Sequence, residues 1–198
     1  SDDKDVKLTK SDVERFTDTA KHGRYFTSKV PYGFNYADNN DTITDDTVDE
    51  QHGMHVAGII GANGTGDDPA KSVVGVAPEA QLLAMKVFTN SDTSATTGSA
   101  TLVSAIEDSA KIGADVLNMS LGSDSGNQTL EDPEIAAVQN ANESGTAAVI
   151  SAGNAGTSGS ATQGVNKDYY GLQDNEMVGT PGTSRGATTV ASAENTDV

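Results

Sequence analysis

The sequence predicts an α/β fold, with a mostly parallel sheet and helices on both faces. Short apolar runs of strand length recur at QLLAMKVF (81–88), VLNMSL (116–121), AAVISA (147–152) and TTVASA (188–193). Between them lie helix-type patterns of about 12–15 residues, at Ser99–Gly113 and Asp132–Gly145, and such alternation implies repeated βαβ crossovers. With 198 residues and neither an internal repeat nor an interdomain linker, the chain reads as one domain or a large piece of a bigger one.

Taken in order, residues 1–29 are polar and mixed in charge, with a helical candidate at Ser11–Ala20. Ser11 is its expected N-cap and Glu14 the capping-box partner. Lys29–Ala37 (KVPYGFNYA) alternates as a strand does, interrupted by Pro31 and Gly33. Asp38, Asp41, Asp45, Asp46, Asp49 and Glu50 then crowd the segment 38–50 with carboxylates. A solvated acidic loop accounts for them, as would a metal site or a counter-charge for His52, although no EF-hand spacing is present. His52–Ile60 reads as a buried helix of small and β-branched residues, and 63–72 as a polar loop. VVGVAP (73–78) reads as a turn and QLLAMKVF as a buried strand. In the helix at Ser99–Gly113, Leu102, Val103, Ile106 and Ala110 form the apolar face, Ser99 is the candidate N-cap and Gly113 the stop. Asp132-Pro133-Glu134 opens the next helix with a cap, a first-turn proline and an acid matched to the helix dipole.

Composition removes several function classes. The formal charge of −17 argues against nucleic-acid binding, which needs clustered Lys and Arg. The absence of cysteine excludes disulfides and thiolate chemistry, without assigning a compartment. No run approaches the roughly 18 apolar residues of a membrane span. The chain opens on Ser1-Asp2-Asp3-Lys4, with no initiator Met and no signal peptide, so a fragment is expected.

Two positions are candidates for chemistry on residue type and place. His52 enters a glycine-spaced apolar run from an acidic loop, at an expected helix start. An imidazole titrates near neutrality and can serve there as a general base, though a structural or exposed histidine has the same look. Ser151-Ala152-Gly153-Asn154 ends a strand, where ligands sit in a parallel sheet. Its small residues leave room for a substrate chain, and the amide could donate to an oxyanion without adding charge; an ordinary Gly-Asn turn fits too. Ser120-Leu121-Gly122 and Thr97-Gly98-Ser99 also follow strands.

HGMHVAGIIGANG, GVAPEAQLLAMKVF, VLNMSLGS and VISAGNAG, in this order and at these intervals, resemble the subtilase family of serine proteases from about residue 30 to the end. DTVDEQHG and DYYGLQDNEMVGTPG look most like its cell-envelope branch. The resemblance implies a subtilisin-like three-layer sandwich and peptide-bond hydrolysis through a Ser/His/Asp triad. Protein substrates such as caseins and a secreted, cell-wall-associated location go with it. It makes His52 the triad base, His55 a structural histidine and Asn154 the oxyanion-hole donor. Loss of that donor typically costs about 100- to 1,000-fold in rate, a scale set on a subtilisin. Ser120, Leu121 and Gly122 match the strand that pairs with the substrate backbone. Ser151, Ala152 and Gly153 match the opposite wall of the primary specificity pocket, with Gly98-Ser99 near the other substrate edge. Met54 stands where Thr is commoner.

The family's Asp motif, D-[ST]-G, does not occur before His52, and its nucleophile motif G-T-S-M-A is absent. Asp124-Ser125-Gly126 lies on the wrong side of His52 and is read as a turn. Gly182-Thr183-Ser184-Arg185 imitates the Ser motif but precedes a strand, so Ser184 is read as a decoy. Residues 1–198 are therefore expected to be a partial catalytic domain, lacking the Asp segment upstream and the Ser segment downstream, and inactive alone. No cofactor is needed for such chemistry; structural calcium is common in the family, but no ligands are assignable. Two other readings stand beside it: a module that has lost its triad and only binds peptides, and a metal-dependent hydrolase using His52, His55 and nearby carboxylates, for which no third ligand is evident.

Overall fold

In the computed structural model, residues 6–44, 51–64, 72–90, 95–123, 126–154 and 178–193 are described. The chain divides into two units, Ser1–Ala105 and Ile106–Val198.

The first unit opens with α1 (Lys10–Ala20). Its N-cap is Thr9, not Ser11: the Thr9 hydroxyl accepts from Asp12 N, and the Asp12 carboxylate accepts from Thr9 N. Thr9–Asp12 and Ser11–Glu14 both fit the hydroxyl-to-acid spacing, and the earlier pair starts the helix. The Thr9 hydroxyl also donates to the Asp12 carboxylate, and that bond, with the one from Thr9 N, holds the Asp12 carboxyl below its usual range. Val13 is buried, and the Phe16 ring meets Tyr32 edge-on at 5.3 Å.

β1 (Tyr32–Asn35) pairs in parallel with β2 (Leu83–Lys86), Tyr32 opposite Leu83 and Asn35 opposite Lys86. All four β1 residues are buried, whereas β2 is half-buried, so its expected full burial is not met. The strand expected over 29–37 contracts to four residues because β1 begins just after Pro31, whose ring cannot donate to a ladder. The Gln81 side chain braces the strands, its amide nitrogen donating to Ser28 O at 2.8 Å and Leu8 O at 3.0 Å.

Between the strands lies α2 (His52–Gly61). The helix forms as expected, but its burial does not: only Gly61 is buried, and Ile59 is 64% exposed. An all-round apolar helix signals a need for cover without saying what covers it. Among the described residues, that cover is largely missing.

α3 (Ser99–Ile112) crosses the division between the units. Leu102 and Ile106 are buried as expected, and Ala105, Ser109 and Ile112 join them, while Val103 and Ala110 are half-buried. Ser99 is the first helical residue rather than the cap; Gly98 O accepts from Leu102 N. Gly113, at φ +90°, provides the expected stop, since only glycine takes that conformation without strain.

In the second unit β3 (Val116–Met119), β4 (Ala147–Ser151) and β5 (Ala187–Val190) form a parallel sheet in the order β3-β4-β5. α4 (Pro133–Glu143) makes the crossover between β3 and β4. Its cap is the expected one: Asp132 accepts from Glu134 N and Ile135 N, and Pro133 occupies the first turn. Leu117, Met119, Ala148 and Ile150 are buried, as are Ile135, Ala137, Val138 and Ala141 of α4. The alternating Val116, Asn118 and Ala147 are exposed. Each buried Leu or Ile of this layer contributes about 1.5–3 kcal/mol relative to exposure. The α/β class with parallel strands therefore holds, in a two-stranded and a three-stranded sheet. The strand expected at 188–193 lies earlier, at 187–190, and β3 ends before Ser120.

Candidate active site

His52 is the first residue of α2 and is exposed. Gln51 occupies the cap position without a side-chain bond. Among the described residues none bonds to the His52 imidazole, and four carboxylates of the preceding acidic run, Asp45, Asp46, Asp49 and Glu50, lie outside them. Asp38 is a turn organiser, its carboxylate accepting from Asn35 Nδ2 and Asn90 N, both at 2.9 Å. His55 lies on the first turn, exposed, its backbone N–H on Gln51 O at 3.1 Å. Among the described residues no group of three or more His, Cys, Asp or Glu could hold a metal ion, so the pair His52 and His55 gains no third ligand there.

The far end of α2 is the fixed one. Val76 N donates to Ile59 O at 2.9 Å and Ala77 N to Ile60 O at 2.8 Å, satisfying carbonyls that a helix end leaves unpaired. Gly75 N donates to Ala62 O at 2.7 Å. A Cβ at Gly75 would lie 2.6 Å from Gly61 N and 2.7 Å from the Ile60 carbonyl carbon, so only glycine permits this approach. VVGVAP is thus more than a turn: it is the brace behind the helix whose first residue is His52.

In the second unit, Ser120, Leu121 and Gly122 continue from β3, and Ser151 ends β4. The Ser151 hydroxyl donates to Leu121 O at 3.2 Å, so the two expected walls adjoin. Asn118 Nδ2 donates to the Ser120 hydroxyl at 3.1 Å. Ala152 follows, half-buried, then Gly153 at φ +93° and Asn154, both exposed. The left-handed Gly153 turns the chain so that Asn154 leaves the strand direction.

The loop 178–183, which the sequence marked only as the tail of DYYGLQDNEMVGTPG and the start of the imitated Ser motif, packs against both expected walls. Gly179 N donates to Ala152 O at 3.0 Å, and Ser123 N donates to Thr180 O at 2.9 Å. Thr180-Pro181 is a cis peptide, and Gly179 to Gly182 are all buried. The signal available was Gly179-Thr180-Pro181-Gly182 itself, a glycine–proline run that marks a tight turn. Ser184 is 4% exposed and sits in the turn entering β5, its hydroxyl accepting from Gly186 N at 3.4 Å. Asp124, Ser125 and residues 168–177 of DYYGLQDNEMVGTPG lie outside the described residues. Gly98 and Ser99 lie exposed at the start of α3.

The profile of the Peptidase_S8, or subtilase, family matches residues 3–198. The chain belongs to the subtilase family. Within it, the chain is 98% identical over all 198 residues to a PII-type proteinase of Lactococcus lactis subsp. cremoris, of which it spans 10%. Subtilisin DY of Bacillus licheniformis is 45% identical over 109 residues, 55% of this chain and 36% of that protein. The solved structure of sphericase superimposes with a TM-score of 0.57 at 32% identity, covering 79% of this subtilase chain and 43% of that one. The described elements are a piece of the subtilisin-like α/β fold. Among the described residues no helix is long and apolar enough to cross a membrane.

Proposed function

We propose that the whole protein is a subtilisin-like serine endopeptidase of the lactocepin, or cell-envelope proteinase, type. It cleaves extracellular proteins such as caseins through an acyl-enzyme and resides at the cell wall. The observation that carries this reading is the 98% identity to a PII-type proteinase across the entire chain.

His52 is the general base, taking the proton of the attacking serine and returning it to the leaving amine. Its exposed place at the head of α2 leaves the imidazole open to substrate. Asn154 donates its side-chain N–H to the developing oxyanion; the turn at Gly153 supports this by lifting the residue off β4. Ser120, Leu121 and Gly122 pair with an extended substrate, and Ser151, Ala152 and Gly153 form the facing wall. The acidic charge disfavours nucleic acid as a partner. The chemistry requires no cofactor, and no residues are assigned to structural calcium. The sequence holds no Asp or Ser motif of the family, so this segment supplies base and oxyanion donor only.

In the intact proteinase, a serine-directed phosphonate should abolish casein cleavage and a zinc chelator should leave it unchanged. His52→Ala should lower kcat by more than about a thousandfold with KM little altered. Loss of activity to the chelator, with survival of the phosphonate, would overturn the reading in favour of a metal hydrolase. The 198-residue segment alone should cleave nothing, because a base without its nucleophile forms no acyl-enzyme.

A further inference from the structure

Ser123 and Thr180 meet across 57 positions of sequence through more than a backbone contact. Ser123 N donates to Thr180 O at 2.9 Å. In return, Thr180 N donates to the Ser123 hydroxyl at 3.2 Å, and that hydroxyl donates to Thr180 O at 3.4 Å. The Thr180 hydroxyl accepts from Asn127 N at 3.0 Å, and the Thr183 hydroxyl donates to Asn127 O. The loop is held as closely on its other side: Gly179 N bonds to Ala152 O, and a Cβ at Gly182 would lie 2.8 Å from Ser151 O. A Cβ at Gly179 would come within 1.8 Å of Ser123 O. Nothing separates these backbones, so their spacing is set by direct contact.

We propose that Ser123 and Thr180 are positioning residues for the substrate pocket. Their clasp holds the 178–183 loop against both residues 120–122, which follow β3, and the end of β4, and thereby sets which substrate side chains fit. This rests on the reading that 120–122 and 151–153 are substrate walls. The chemistry favours Ser123 as the sensitive member. Thr180 is 7% exposed, and without the Ser123 hydroxyl its N–H would be left without an acceptor where water reaches poorly. The loop would then relax to find one, and the walls would move with it.

The test uses the intact proteinase and two peptide substrates that differ only in the residue before the scissile bond, one large and apolar, one small. Ser123→Ala should weaken discrimination between them, changing their kcat/KM ratio by about three- to tenfold through KM. kcat on the small substrate should stay within about twofold, and Ser123→Thr, which keeps the hydroxyl, should restore the ratio. Thr180→Val, which removes the acceptor for Asn127 N, should shift it the same way. A merely structural clasp would lower the melting temperature and scale both substrates alike, so an unchanged ratio in active variants overturns the proposal. Failure of both variants to fold would assign the clasp to stability and overturn it also. If the unmutated protein lacks phosphonate-sensitive cleavage, the endopeptidase reading falls first and the pocket role with it.

Discussion

In Ser1–Ala105, His52 begins a helix secured at its opposite end by backbone contacts from Gly75, Val76 and Ala77. In Ile106–Val198, Asn154 leaves a strand beside a loop fastened by the hydroxyls of Ser123, Thr180, Thr183 and Thr189. The first arrangement relies on the helix as a rigid lever about 15 Å long, with glycine allowing the brace to close. The second relies on side chains whose removal leaves particular backbone groups without partners. Truncating polar side chains should therefore matter near Ser123 and matter little near Gln51, while backbone crowding should matter in both places.

After the loss expected of His52→Ala, the next largest effect tests whether the strand end carries chemistry. In the intact proteinase, Asn154→Ala should lower kcat by about 100- to 1,000-fold with little change in KM, the scale set by this donor in a subtilisin. A KM effect alone would make Asn154 a binding residue and move the chemistry elsewhere.

Next come the close approaches. Gly75→Ala and Gly179→Ala should each destabilise by about 1–3 kcal/mol or more, because backbone atoms lie where the new methyl must go. Gly53 has nothing within 4 Å of an added Cβ, so Gly53→Ala should be neutral or stabilising by up to about 1 kcal/mol, as expected for glycine in a helix. Melting temperatures of the three variants check the contrast. Equal losses at Gly53 and Gly75 would break the distinction between the open and braced ends of α2.

The smallest effect concerns α1. Removing the cap with Thr9→Ala should speed amide exchange in the first turn about fivefold. The pH dependence has a defined sign. Asp12 is held below its usual range by Thr9, so its contribution is complete above the unfolded carboxyl value and is lost as pH falls through the lowered one. Protection of the Val13 amide, its exchange rate relative to the intrinsic rate at each pH between 2 and 6, measures this, and a flat protection profile would remove Asp12 from the cap.

These cases also show what the sequence made legible. α4 could be placed because Asp132-Pro133-Glu134 is a local signal, read over three residues and answered by local bonds. His52 could be placed at a helix start because the apolar run begins directly after it. The cap at Thr9 was harder, since two overlapping hydroxyl–acid pairs fit one rule and only the geometry of the first turn chooses between them. The exposure of Met54 and Ile59 was out of reach for another reason: an apolar side chain records a preference for cover, and the neighbour that supplies it is a tertiary fact. The 178–183 loop was least legible, because the contacts that set it against Ser123, Asn127 and Ala152 reach residues distant in sequence.

That distance bears on how the chain assembles. β3 and β4 pair across about thirty positions, Val116 opposite Ala147, with α4 between them. The clasp must close a span of 57 positions, and its partners, Ser123 and Ala152, are fixed only once that βαβ unit exists. Closing the longer span costs little additional entropy, because that cost grows only logarithmically with length. What delays it is the need for a finished surface to close upon. The wall that would tell one substrate from another is thus expected to be among the last parts of this sheet to form.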